Sequence, residues 1–311
     1  MPPFLRFDTC TPLRTRLLRL GAFFLLTGTL GVAAEVVGLS LQAARSVVYP
    51  RRVTDLVTPS QYELPYERVE FSSLDGLRLR GWFIPGARSA IVLAHGHASH
   101  KGTMLGYASY LQKQGGYSIL LFDFRASGES GGEQAALGYY EWQDLAGAVR
   151  YLQTRPEVDP ARIGALGASM GAAAVLLMGE EAHALRAVIA DSSFASAETM
   201  VSTFDRWFVL PPQLFSLSVP WAIERYVGVK PRDVAPVRAV EKIAPTPVFF
   251  IHGQDDAGIP PADAQALYNA ASDPKELWII PGVGHAGGHD EARVEYERRT
   301  LDFFRRYLGN E

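Results

Sequence analysis

Gly164-Ala-Leu-Gly167-Ala-Ser169-Met-Gly171 is the stretch whose reading decides the fold of this chain. It follows an apolar strand-like run at 162–166 and opens a small-residue, helix-like run at 170–178. Within it, Gly167, Ser169 and Gly171 spell the pattern G-x-S-x-G. A serine on a sharp strand-to-helix turn is lifted clear of the backbone, and small residues two before and two after it let the chain crowd there. Ser169 is therefore the candidate nucleophile. The same five letters arise by chance in glycine-rich sequences, so the reading depends on partners elsewhere in the chain.

Working outward, strand-like and helix-like segments alternate from about residue 66, the pattern of a mostly parallel sheet covered on both faces. Residues 68–72 and 77–84 flank the turn Leu74-Asp75-Gly76 and predict an antiparallel hairpin at the sheet edge. Further strands are expected at 90–94, 117–122, 162–166, 187–190, 248–251 and 277–280, which makes eight. Helices are expected at 104–114, 139–154, 170–178, 261–271 and 290–307. Between 192 and 243 the rhythm breaks into a stretch rich in aromatics and prolines, including Phe194, Phe204, Trp207, Phe208, Phe215 and Trp221. Loops beyond about 15 residues usually carry function or structure of their own. A small helical cap inserted at about 192–243 is the expectation, with Phe194, Phe204, Trp207, Phe208 and Phe215 as candidate pocket residues.

The chain has 311 residues, 48% hydrophobic and 20% charged, enough for one large α/β domain with an extra segment. Net charge is −3 and unevenly spread. Residues 1–52 hold seven arginines against Asp8 and Glu35, a balance of +5, which leaves −8 for the remainder. A mildly acidic body argues against nucleic acid as a partner. Cys10 is the only cysteine, so no intramolecular disulfide can form.

The N-terminus is the compositional anomaly. Arg14, Arg16 and Arg19 precede an uncharged, mostly apolar run at 20–34, then Glu35 and a second apolar patch at 36–44. That is the layout of an export signal or an uncleaved signal anchor, with Val32-Ala33-Ala34 as a small-residue cleavage site. The first run is shorter than the ~20 residues a full span needs, and Glu35 interrupts its extension. The expectation is a signal or anchor segment with its linker at 1–52, a hydrolase-type domain at 53–311, and membrane association through 17–44. The protein is expected to be exported or anchored; the alternatives are a buried or interfacial helix and a cytoplasmic protein.

A serine hydroxyl needs a base within hydrogen-bond reach, and that base needs a carboxylate to hold its tautomer. In a doubly wound sheet these groups stand at the carboxyl ends of strands. His285, in the loop Pro281-Gly-Val-Gly-His285, is the candidate base. His289 could substitute, but its place beside Asp290 at the start of the last helix reads as a cap or surface residue. His252 reads as a loop-orienting residue. Asp255 and Asp256 both lie just beyond the 248–251 strand; neighbours point in different directions, so only one faces the histidine. The order Ser169, Asp256, His285 is that of one known triad arrangement. An oxyanion needs two backbone N–H groups, and losing one such donor costs about 10²–10³ in rate. Met170 at a helix N-terminus supplies one. The His97 amide, beyond Gly96, is expected to supply the other. His95, His97 and His100 could be read as a metal cluster, but no acidic or cysteine ligand stands at metal-site spacing, so neither a metal nor a cofactor is called for.

Four features in order make the chain resemble the α/β-hydrolase superfamily, within it the capped esterase-like and serine-aminopeptidase-like branch. They are His95-Gly96 after a strand, Asp123-Phe-Arg125-Ala-Ser-Gly128-Glu-Ser130, Gly167-Ala-Ser169-Met-Gly171, and the Asp256 and His285 loops. The resemblance spans nearly all of residues 66–308. It implies an α/β-hydrolase fold with a mostly parallel eight-stranded sheet, helices on both faces and a helical cap. It further implies Asp256 as the acid, because that residue stands four after the histidine of an H-G-x-x-D run and three before Ile259-Pro260. Asp255 is the runner-up and Asp191, beyond the preceding strand, the third choice. Ala126 departs from the branch, where glycine is usual; if that position needs positive φ, alanine strains the turn. Arg125 and Ser130 read as buried hydrogen-bonding residues. The implied function is a serine hydrolase cleaving small-molecule carboxylic esters with small to medium acyl or aryl groups. The alternatives are an aminopeptidase or amidase, acyl transfer to another alcohol, and a non-catalytic binding protein on the same fold.

Overall fold

Runs of Val, Ile, Leu and Ala that are apolar on both faces suit strands in the middle of a parallel sheet. In the computed structural model of the chain, which describes residues 13–53, 57–202 and 215–309, such runs build the expected sheet. In chain order come helix α1 (Leu13–Val48), strands β1 (Glu67–Ser72), β2 (Arg78–Ile84) and β3 (Ala87–Ala94), helix α2 (Leu105–Lys113) and β4 (Tyr117–Phe122). Then follow α3 (Glu141–Gln153), β5 (Ile163–Ala168), α4 (Met170–Leu177), β6 (Ala187–Asp191), α5 (Ala197–Ser202), α6 (Phe215–Val227) and α7 (Pro236–Ala239). The chain ends through β7 (Val248–Gly253), α8 (Pro261–Ala270), β8 (Lys275–Ile280), α9 (Gly288–Glu291) and α10 (Arg293–Leu308).

The eight strands lie in the order β1-β2-β4-β3-β5-β6-β7-β8. β2 runs antiparallel to both β1 and β4, and the pairings from β4 to β8 are parallel. Alternate residues of each central strand feed opposite faces. Val92, Leu120 and Phe122 join a core with Leu145 and Val149 of α3, Val175 of α4 and Leu267 of α8. Ile91, Leu93, Ile119 and Leu121 join another with Leu105 and Leu111 of α2 and with Phe303 and Phe304 of α10. Both faces are thereby covered. The carboxyl ends of β3, β5, β6, β7 and β8 emerge at one end, where the functional loops lie.

Above that end sits a third hydrophobic cluster, made by the cap helices α5 and α6 together with the second half of α1. The helix α1 differs from expectation. Glu35 does not divide it: one 36-residue helix runs through both apolar patches. A single exposed carboxylate leaves the backbone ladder intact, so the interruption is one of hydropathy only. Its second half presents Val36, Ser40, Ala44, Val47 and Val48 to the cap, a spacing of three and four residues that lines one helix face.

Candidate active site

Ser169 sits between β5 and α4 with φ +55 and ψ −119, a conformation L-residues rarely adopt. Its flanking glycines are required by close approach. A Cβ on Gly167 would lie 2.4 Å from the Gly171 carbonyl, and one on Gly171 would lie 2.1 Å from the Ala94 oxygen of β3. The serine N–H donates to the Asp191 carbonyl at 2.8 Å, which pins the turn to the end of β6.

The loops after β7 and β8 are pressed together by a similar device. A Cβ on Gly253 would fall 2.3 Å from the Gly284 oxygen, and Asp255 N–H donates to Val283 O at 2.9 Å. This brings His285 between Ser169 and Asp256. His285 Nε2 lies 2.9 Å from Ser169 Oγ, and its Nδ1 lies 2.6 Å from Asp256 Oδ2. The His285 side chain is 39% exposed and the Asp256 carboxylate fully buried, so solvent reaches the imidazole but not the acid. Burial alone would raise the Asp256 carboxyl, but hydrogen bonds from His252, His285 and the Ile259 N–H hold it well below the usual carboxylate range. Its Oδ1 accepts from Gly258 N at 2.9 Å and Ile259 N at 2.8 Å. His252 Nε2 donates to Ile259 O at 2.8 Å and lies 3.3 Å from Asp256 Oδ2, where it props the acid loop.

The alternative acids are placed elsewhere. Asp255 is exposed on the turn. Asp191 is buried and accepts from Tyr296 OH at 2.7 Å and Ser192 Oγ at 2.9 Å; burial, only partly offset by these bonds, raises its carboxyl. Ser192 Oγ in turn accepts from Ala286 N at 3.1 Å, beside His285.

On the other side of Ser169, a Cβ on Gly96 would stand 3.4 Å from the serine Cβ, so the loop after β3 borders the nucleophile. Met170 opens α4, where the first N–H groups of a helix lack intrahelical acceptors. His95 spends both ring nitrogens on the loop: Nδ1 donates to Gly96 O at 2.7 Å and Nε2 accepts from Phe124 N at 3.1 Å, leaving neither for a metal. Burial, and secondarily His95, lowers His97 to about 4, so its ring is neutral.

The turn from Asp123 to Ser130 braces this loop. Ala126 has φ +58, so the departure from glycine does carry local strain. Arg125 binds Asp144 and Asp75, and Ser130 Oγ donates to Asp123 O. Sequence reasoning missed Lys101, whose fully buried ammonium meets Asp123 Oδ2 at 2.8 Å over the Trp82 ring. It also misplaced His289. That residue is not at the surface but buried, stacked on Tyr107 and Tyr110 with ring centroids 4.6 and 5.4 Å away, because α9 folds back onto α2. Of the candidate pocket aromatics, Phe194 and Phe215 are buried within the third cluster, and Phe204, Trp207 and Phe208 lie outside the described residues.

Residues 105–311 match the prolyl oligopeptidase family. The chain is 30% identical over 247 residues to the Escherichia coli K12 protein YfhR, covering 76% of this chain and 80% of that one. It is 31% identical over 238 residues to Rv2307c of Mycobacterium tuberculosis H37Rv, covering 75% and 76%. Among solved structures, the Pyrococcus furiosus esterase Pf2001 superposes with a TM-score of 0.74 at 29% identity, covering 85% of this chain and 99% of that one.

Proposed function

The chain belongs to the prolyl oligopeptidase family and is a serine hydrolase of α/β-hydrolase fold, and from that premise we propose that it cleaves carboxylic esters through an acyl-enzyme. The observation that carries the proposal is the unbroken hydrogen-bonded chain from Ser169 Oγ through His285 to Asp256. Ser169 Oγ attacks the ester carbonyl carbon while His285 Nε2 takes its proton. Asp256, held ionised, stabilises the imidazolium that results. The N–H groups of His97 and Met170 receive the oxyanion. Collapse of the tetrahedral intermediate breaks the ester C–O bond, and His285 returns the proton to the departing alkoxide. Water then attacks the acyl-serine with His285 again as base, releasing the acid and restoring Ser169. Small to medium acyl or aryl groups are the expected substrates.

The likeness to an esterase over almost that protein's whole length supports ester over amide. The family match favours the second reading, hydrolysis of an aminoacyl amide or peptide. Comparing kcat/KM on short acyl esters and on aminoacyl amides decides between them: robust amide turnover with negligible ester cleavage would overturn the ester reading. We place the protein at a membrane, held by α1, since the Val32-Ala33-Ala34 site lies inside an unbroken helix. Mass analysis of the purified N-terminus tests this; a mature start near Glu35 would contradict it.

A further inference from the structure

The two halves of α1 have different surroundings. From Val36 onward the helix is part of the cap, whereas Leu17, Leu18, Phe24, Leu25, Leu26 and Leu30 are each more than half exposed. These side chains surround the helix without a polar face, whereas a helix lying on protein or in an interface shows one apolar stripe. Residues 17–34 extend about 27 Å at 1.5 Å per residue, close to the ~30 Å hydrocarbon thickness of a bilayer. The two threonine hydroxyls in this half are satisfied internally, as hydrocarbon requires: that of Thr27 donates to Phe23 O at 2.9 Å and that of Thr29 to Leu25 O at 3.0 Å. Arg16 stands just before the stretch and Arg19 less than one turn inside it, where a long side chain reaches back to the interface, and Glu35 stands just past its other end.

The second half of α1 is seated on the cap at the same end of the body as the serine. α6 runs beside and parallel to the second half of α1, since Ser40 Oγ meets Ser218 Oγ at 2.7 Å and the Tyr49 ring meets Tyr226 at 5.8 Å one helical stretch further along both. The cluster that receives Val36, Ala44, Val47 and Val48 also holds Ala173, Phe194 and Ile259. The Ala173 N–H donates to Ser169 O, and the Ile259 N–H donates to Asp256. So the second half of α1 packs at the end of the sheet that carries Ser169. On α6, beside the second half of α1, Leu217 and Trp221 are 82% and 50% exposed, and tryptophan favours the membrane interface.

We propose that α1 is at once membrane anchor and structural member of the cap, so that the mouth above Ser169 is held against the bilayer surface and takes an amphiphilic carboxylic ester whose apolar chain lies in the membrane. This rests on the ester-hydrolase reading of Ser169 and names where its substrate comes from. The helix couples anchoring to access: an ester at the interface reaches the serine while its chain stays in lipid.

The test uses the full chain reconstituted into dioleoylphosphatidylcholine vesicles, with two esters, water-soluble p-nitrophenyl butyrate and a monooleoylglycerol carried in the vesicles. Two altered forms are compared with the parent: Leu25→Lys with Leu30→Lys, which charges the exposed half, and a Gly/Ser linker inserted between Glu35 and Val36, which keeps anchor and cap but frees the body from the surface. The parent is expected to float with vesicles and to cleave both esters. The lysine variant is expected to stop floating and to lose roughly tenfold or more of its turnover of the vesicle ester while keeping turnover of the soluble one. The linker form is expected to float and keep soluble-ester turnover but lose vesicle-ester turnover. Undiminished vesicle-ester turnover by the linker form overturns the held mouth. Lysine variants that still float, or a parent that does not float and cross-links as a dimer through α1, overturn the anchor and assign the apolar half to a second copy. Absence of soluble-ester turnover in every form sinks the hydrolase reading and the substrate with it, while flotation still scores the anchor independently.

Discussion

Replacing Asp256 by asparagine tests the geometry of the site at the point where most depends on one atom. Asp256 Oδ1 accepts from the N–H groups of Gly258 and Ile259, so an asparagine oxygen is retained there and its amide nitrogen takes the place of Oδ2, 2.6 Å from His285 Nδ1. Carboxylate Oδ2 accepts from Nδ1–H and leaves Nε2 bare toward Ser169. An amide N–H at that place demands an unprotonated Nδ1 and so puts the proton on Nε2, which can no longer take one from the serine. The imidazolium of the transition state also loses its counter-charge. The expected fall is about 10⁴-fold in kcat, close to 5.5 kcal/mol of transition-state stabilisation, on the scale of this substitution in other serine triads. The assay is kcat/KM on a short acyl ester, with urea unfolding to verify that the variant folds. Asp255→Asn, on the exposed turn, is the control and should stay within about threefold of the parent, as surface changes usually do. Retention of more than a tenth of the activity by Asp256→Asn, or an equal loss in Asp255→Asn or Asp191→Asn, refutes the reasoning.

Three further outcomes follow from local structure. His97 is held at about 4 in the fold against ~6.5 unfolded, a depressed value, so its contribution to stability is complete above about pH 6.5 and is lost as pH falls through 4; the limit is about 3 kcal/mol, and denaturant titrations at pH 7 and 4.5 should show a smaller difference in His97→Asn than in the parent. Ala126→Gly should raise stability by about 0.5–1 kcal/mol, since relief at φ +58 exceeds the added unfolded-state entropy, and a lowered Tm would contradict the strain. Gly171→Ala should destabilise by about 3 kcal/mol or yield no folded protein, because its Cβ would meet Ala94 O at 2.1 Å; a variant as stable as the parent would show that the turn can relax.

The sheet was legible because its strands carry the signature of burial on both faces: Tyr117–Phe122 and Ile163–Ala168 have no exposed residue, as befits short runs in the middle of a parallel sheet. The serine turn was legible for a steric reason, since only glycine fits at 167 and 171. The choice between Asp255 and Asp256 was not, because adjacent residues differ in direction only once the turn after β7 is drawn; the resemblance supplied it, and the Gly258 and Ile259 amides give the physical cause. Lys101 escaped notice because a lysine in a polar loop reads as solvated; its burial is decided by Asp123 and Trp82, which are distant in sequence. His289 escaped for the same reason, its aromatic neighbours lying on α2. The run at 20–34 and the patch at 36–44 gave two hydropathy segments where there is one helix. Composition reports what surrounds a residue, not whether the backbone ladder continues.

The most direct measurement of the central claim is to treat the folded full chain with a fluorophosphonate and locate the adduct by peptide mass spectrometry. A single phosphonyl group on Ser169, absent in Ser169→Ala and greatly slowed in His285→Ala, is the predicted result. No labelling of the folded protein would contradict it and leave a binding protein on a hydrolase fold, and labelling undiminished in Ser169→Ala would contradict it by assigning the nucleophile elsewhere.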